Sequence, residues 1–217
     1  MKFSLGFVCD TAYMRQALAV ALMATAFGYL PFPSVAQSPN RAGELPVLVL
    51  VRHADKAAEP KDDPPLTAAG AKRAQDLAAA LRNAGVTAII TTQLRRTRET
   101  AQPLATALGL VPEVVNVGER ALVSNPAADG RLPPEVVRER AEYIKVLEPA
   151  VRRLSGVVLV VGHDWSVPGL IASLGGPQLP NICVSVYDNL FVLTSTKGTT
   201  NLIQTRYGAP TPDTDCK

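Results

Sequence analysis

Apolar residues along this chain alternate between two patterns. Short β-branched runs, Val47 to Val51 (VLVLV), Ala88 to Thr91 and Val157 to Val161 (VVLVV), are separated by longer stretches in which apolar residues recur every three or four positions. Runs of the first kind suit strands covered on both faces, so the alternation predicts an α/β domain: one three-layer structure, a mainly parallel sheet with helices on either side. Thr67 is placed to cap a helix in which Ala74, Leu77, Ala78 and Leu81 share a face until Gly85. A second helix turns Leu94, Thr97, Ala101, Leu104, Ala105 and Leu108 toward the core and stops at Gly109, with Pro103 expected to kink or restart it. A charged helix from Pro134 to Leu154 is expected to bury Val137, Tyr143, Ile144, Leu147 and Val151, and a short one runs from Val167 to Leu174. Val184 to Tyr187, Leu190 to Thr194 and Asn201 to Arg206 read as strands, with one antiparallel edge among them. Residues 111 to 132 hold no period and read as a binding loop or lid.

The amino terminus stands apart from this rhythm. Ala17 to Leu30 carries no charge, follows Arg15, and leads through Pro31 and Pro33 to the small triplet Ser34-Val35-Ala36. That pattern predicts a secretory signal peptide over residues 1–36, and a start at Met14 would give it a cleaner n-region. A spanning helix needs about 20 apolar residues, so no stable membrane span is expected once the leader is cleaved. The remaining boundaries are a polar leader at 37–46, a domain at 47–207 and a tail at 208–217. The expected location is secreted or periplasmic. There Cys183 and Cys216 either pair or stay free, because sequence does not fix the distance between them.

Composition narrows the functional classes. With 47% hydrophobic residues and scattered Gly and Pro, the chain is globular. Lys plus Arg numbers 22 against 19 Asp plus Glu, and the resulting +3 gives no basis for expecting nucleic acid as a partner. Three cysteines without a CxxC pair exclude a disulfide scaffold and a structural zinc site.

The chain holds only two histidines, and each follows one of its two most apolar strands: VLVLV-Arg52-His53 and VVLVV-Gly162-His163. Both therefore leave strand carboxyl ends, the edge at which open α/β sheets bind ligands. Arg52 adjoins the first imidazole, and the strand ending at Thr91 feeds into Gln93-Leu94-Arg95-Arg96-Thr97. Guanidinium is planar, permanently charged and able to grip two oxygens of one phosphate, so two imidazoles and at least one further arginine at one edge suit a phosphoryl group. For Arg95 a solvated surface charge is the expected role.

These residues carry a resemblance. Arg52-His53-Ala54, Leu66-Thr67-Ala68-Ala69-Gly70 with Arg73-Ala74, Leu94-Arg95-Arg96-Thr97-Arg98-Glu99-Thr100-Ala101, and Val161-Gly162-His163 with Val167-Pro168 resemble, in order and spacing, the histidine phosphatase superfamily in its phosphoglycerate mutase-like branch. The resemblance spans about residues 45 to 207. It implies a phosphoric monoester hydrolase that works through a phosphohistidine, with His53 as nucleophile and Arg52, Arg96 and His163 around the phosphate. It requires no cofactor and no metal. Asp164 stands where many members of this branch carry Ser, and a His-Asp pair resembles the acid phosphatase branch, whose Asp is the proton donor. Asp164 is therefore the expected general acid, with Glu119 second and a plain helix-capping role for Asp164 as the alternative. Ala54 in place of Gly, followed by Asp55-Lys56, departs from the mutases. Two other readings stay open: a phosphoryl-ligand binder without turnover, and a metal-dependent hydrolase using His53, Asp55, His163 and Asp164. The expected partner is a phosphorylated small molecule or envelope component. Arg120 and Arg131 are candidates for a second anionic contact, and Trp165 for the pocket mouth or the core.

Overall fold

Strict alternation within the apolar runs divides the core into two halves. Along β1 (Val47–Arg52), Leu48 and Leu50 join one buried cluster while Val49 and Val51 join the other. β4 (Val157–Gly162) does the same, with Val158 and Val160 on the first face and Leu159 and Val161 on the second. Side chains alternate across a strand, so a run apolar at every position needs cover on both sides. The structure, a computed structural model, describes residues 45–122 and 131–212. The expected leader at 1–36, most of 37–46, and residues 213–217 of the tail, Cys216 among them, lie outside the described residues.

The cover comes from two helix pairs. α1 (Ala68–Leu81) and α2 (Arg95–Leu108) supply Leu77, Leu81, Ala101, Leu104 and Ala105 to one face. α3 (Pro134–Arg152) and α4 (Ser166–Ser173) supply Tyr143, Leu147, Val151, Leu170 and Ile171 to the other. Between them the sheet has the order β3-β2-β4-β1-β5-β6, where β2 is Val86–Thr91, β3 is Glu113–Val114, β5 is Asn189–Thr196 and β6 is Thr199–Arg206. β1, β2, β3 and β4 run parallel, and β5 and β6 close the other side antiparallel. The α/β, mainly parallel expectation is met. Among the described residues, no helix is long and apolar enough to cross a membrane.

Several local expectations are corrected. α2 runs uninterrupted through Pro103, with buried Thr100 and Ala101 before it and Leu104 and Ala105 after it, so packing on both sides overrides the local penalty. In α3 Tyr143, Leu147 and Val151 are buried as expected, but Val137 is 53% exposed and Val136 takes the buried position in the first turn. Val184 to Tyr187 is a turn rather than a strand. Thr67 caps α1 as expected, its hydroxyl accepting the Gly70 N–H at 3.0 Å.

Candidate active site

The parallel register of β1 and β4 builds the centre of the site. Arg52 lies opposite Gly162, and the His53 N–H donates to the Gly162 carbonyl at 2.9 Å. The next residue on each strand is therefore a histidine at the same sheet edge, and the ring centroids stand 5.6 Å apart. Both rings are buried. A Cβ on Gly162 would sit 2.7 Å from Ser166 Oγ, the atom that accepts the His163 N–H at 2.8 Å. Gly at 162 is what lets the chain turn tightly from β4 into α4.

The His53 tautomer follows from one contact. Its Nδ1 lies 2.9 Å from the Ala54 carbonyl, which can only accept, so Nδ1 carries the proton and Nε2 keeps the lone pair. Burial holds the His53 pKa well below its ordinary 6.5, and His163, Arg52 and Arg96 push it the same way against the Ala54 hydrogen bond. His163 is depressed by burial first, then by Arg96, Arg52 and Arg140. Desolvation, more than the neighbouring guanidiniums, keeps both imidazoles neutral.

The residues carrying the sequence resemblance brace this centre. The Ala54 N–H donates to Thr100 Oγ1 at 2.9 Å, and Thr100 in turn donates to the Arg96 carbonyl at 2.6 Å. Arg73 Nε holds the Asp55 carboxylate at 2.7 Å, and the Thr67 N–H donates to the Asp55 carbonyl at 2.9 Å. A Cβ on Gly70 would lie 2.1 Å from that carbonyl oxygen, so α1 can approach only because residue 70 has none. Glu99 accepts the Leu66 N–H at 2.8 Å and pairs with Arg95, whose side chain stays exposed as expected. Asp55 is thus engaged by Arg73, and among the described residues no group of three or more His, Cys, Asp or Glu is arranged to hold a metal.

Arg52 and Arg96 are buried beside the imidazoles. Arg52 Nη1 donates to the carbonyls of Cys183, Val184 and Val186 at 2.8, 2.9 and 2.9 Å, and its Cζ lies 4.2 Å from the Tyr187 ring centroid. The same tyrosine sits 6.0 Å from the His53 ring. Burial lowers the Arg96 pKa, opposed by Asp63 and Asp164. Arg52 Nε, Arg96 Nε and His163 Nε2 are buried and have no hydrogen-bond partner among the described residues. These nitrogens belong to residues that line one cavity of about 830 Å³, together with His53, Lys56, Asp164 and Glu119.

Asp164 is not the cap of α4: Trp165 occupies that position and no side chain caps the helix. Trp165 is buried yet reaches the cavity wall, stacking on His163 at 6.1 Å between centroids. Arg120 is mainly exposed, with Glu139 at 3.8 Å, and Arg131 is exposed and outside the cavity lining. Cys183 is disulfide-bonded. Sequence reasoning missed Tyr187, Lys56, Gln93 and Arg140. Of these only Lys56 carried a local signal, its place three residues after His53.

Residues 48–120 match the model of the histidine phosphatase superfamily, branch 1. No curated protein matches the sequence. Among solved structures, a mycobacterial glucosyl-3-phosphoglycerate phosphatase with inorganic phosphate is 18% identical, with a TM-score of 0.51 over 76% of this chain and 98% of that one. The protein histidine phosphatase SixA complexed with tungstate is 17% identical, with a TM-score of 0.50 over 74% and 96%. Bacillus stearothermophilus YhfR is 20% identical, with a TM-score of 0.50 over 72% and 94%. At these identities the likeness is one of fold, which is phosphoglycerate mutase-like.

Proposed function

We propose that this chain, a hydrolase of the histidine phosphatase superfamily (branch 1), is an exported phosphomonoesterase that works through a phosphohistidine at His53 without a metal. The observation that carries the reading is the set of three buried nitrogens with no hydrogen-bond partner among the described residues, on Arg52, Arg96 and His163, beside an imidazole whose Nε2 keeps its lone pair. Buried polar groups are almost always paired, so three donors on one cavity suit the oxygens of a tetrahedral anion.

In the first step the His53 Nε2 lone pair attacks phosphorus and the P–O ester bond breaks. The leaving alkoxide takes a proton from a carboxyl. The sequence ranks Asp164 first as donor and Glu119 second, and both line the cavity. In the second step water attacks phosphorus, the P–N bond breaks, and the water proton returns to the carboxylate as inorganic phosphate leaves. Arg52, Arg96 and His163 stabilise the charge on the equatorial oxygens throughout, which is the main demand of phosphoryl transfer.

A phosphorylated small molecule or envelope component is the substrate class we infer. Export is supported by the uncharged stretch from Ala17 to Leu30 and by the disulfide at Cys183, a bond that persists in oxidising compartments. Fractionation tests export, which recovery from the cytoplasm alone would overturn, and amino-terminal sequencing of the exported protein tests cleavage, which an intact Met1 would overturn. For the chemistry, an aryl phosphate labelled at phosphorus is mixed with the enzyme and quenched in alkali, where phosphohistidine survives. Label should stay on wild type and be absent from His53→Asn, with turnover unchanged by a chelator. Saturable phosphate binding without label or turnover would favour a non-catalytic binder instead.

A further inference from the structure

We propose that Gln93 and the consecutive pair Glu139 and Arg140 are positioning residues that fix the Glu119 carboxyl at the cavity for proton transfer to the leaving group. The inference rests on the phosphomonoesterase reading above. Its basis is a pair of clamps on either side of Glu119. The Gln93 side-chain amide grips both polar groups of Val117: Nε2 donates to the Val117 carbonyl at 2.7 Å, and Oε1 accepts the Val117 N–H at 2.9 Å. Four residues on, the Ala121 N–H donates to Glu139 Oε2 at 3.0 Å, while Arg140 Nε donates to the Ala121 carbonyl at 3.0 Å. Each clamp uses one donor and one acceptor, which fixes the peptide's orientation as well as its position.

Glu119 lies midway between the clamps and on the cavity wall. Gly118 allows the approach, since a Cβ there would meet Glu139 Oε2 at 2.6 Å. The second clamp is also tied to the phosphate pocket. The Arg140 guanidinium lies 4.9 Å from the Trp165 ring centroid, and Trp165 stacks on His163 at 6.1 Å. Arg140 therefore links the wall bearing Glu119 to the imidazole that faces the phosphoryl group. A turn that merely closed the surface would need neither clamp. A carboxyl that must meet a leaving oxygen within a fraction of an ångström needs both. Both clamps act on the backbone flanking Glu119; Asp164, whose carbonyl accepts the Ile182 N–H at 2.9 Å and whose carboxylate acts on Arg96 and Arg140, is the competing donor that the test separates from it.

The test is kcat/KM for a series of aryl phosphates of rising leaving-group basicity, run on wild type, Glu119→Gln, Glu139→Ala, Glu139→Gln, Gln93→Leu and Asp164→Asn. A dinitrophenyl ester leaves without a proton, whereas a phenyl ester needs one. Glu119→Gln, Glu139→Ala and Gln93→Leu should lose about 100-fold on the phenyl ester and little on the dinitrophenyl ester. Glu139→Gln keeps an acceptor for Ala121 and should retain activity. Adding Glu139→Ala to Glu119→Gln should cost nothing more on the phenyl ester, because the two act through one group. Equal losses on every ester, or basicity-dependent loss in Asp164→Asn alone, would overturn the positioning role and leave the phosphatase intact. Should Glu139→Ala fail to fold, Gln93→Leu carries the same prediction from the other clamp. Inactivity of wild type toward the whole series would instead overturn the phosphomonoesterase reading, and the inference with it.

Discussion

Acid should unfold this protein sooner than its carboxylates alone would dictate. His53 and His163 are both buried with pKa values held well below 6.5, while in the unfolded chain each titrates near 6.5. For a depressed group the stability it confers is complete above the unfolded pKa and is lost as pH falls toward the folded one, because only the unfolded state takes up the proton. If both rings stay neutral when folded, each removes about 1.9 kcal/mol between pH 7 and pH 5, so the pair removes about 4 kcal/mol. That is a large part of a typical stability of about 5–15 kcal/mol. Asp188, whose pKa is lowered from 3.8, loses its contribution only below that value and stays out of this window. Urea unfolding followed by far-ultraviolet circular dichroism, in phosphate-free buffer at pH 7, 6 and 5, measures the effect. At an m-value of about 2 kcal/mol/M the wild-type midpoint should fall by about 2 M. The double variant His53→Asn, His163→Asn should lose most of that fall, and each single variant about half. A wild-type midpoint that does not move, or one that falls equally in the double variant, would refute the argument that the rings are buried neutral.

Two further outcomes follow from the same geometry. Inorganic phosphate should raise the melting temperature, by about 2.7 kcal/mol of stabilisation at a hundred times its Kd, and Arg96→Met should abolish the rise; an equal rise in that variant would show that the anion binds elsewhere. Gly70→Ala should destabilise by about 3 kcal/mol, since the new methyl meets the Asp55 carbonyl oxygen at 2.1 Å, and a melting temperature matching wild type would mean that α1 approaches β1 less closely than described.

The sequence made the sheet and the centre of the site legible for a simple reason. Runs such as VLVLV and VVLVV admit only strands covered on both faces, and the residues that follow two parallel neighbours in the same register must share an edge. His53 and His163 could therefore be brought together without coordinates. What escaped was set by partners distant in the chain. Val184 to Tyr187 alternates like a strand, but its neighbouring carbonyls are taken by Arg52, across 131 residues of chain, and not by a ladder. Val136 and Val137 are adjacent and equally apolar, so only packing decides which of them opens the buried α3 stripe, although Tyr143, Leu147 and Val151 take the buried places expected of them. Gln93, Glu139 and Arg140 act on backbone atoms that every residue possesses, and such contacts leave no mark on the partner's identity.

The way the arginines are held separates structure from chemistry. Arg73 is paired with Asp55, Arg95 with Glu99, Arg152 with Glu148 and Arg206 with Asp188. In each pair a carboxylate cancels the charge locally. Arg52 is held by three carbonyls and the face of Tyr187, and among the described residues Arg96 makes no ion pair, the carboxylates of Asp63 and Asp164 acting on it from farther off. Carbonyl dipoles and a ring face stabilise a guanidinium without neutralising it, so its charge remains available to an anion. A carboxylate in the same place would compete directly with a phosphoryl group. Two uncancelled guanidiniums can stand beside two imidazoles only while the imidazoles are neutral, and burial ensures that they are. The desolvation that keeps a lone pair on His53 Nε2 is therefore the same feature that lets the surrounding positive charge persist.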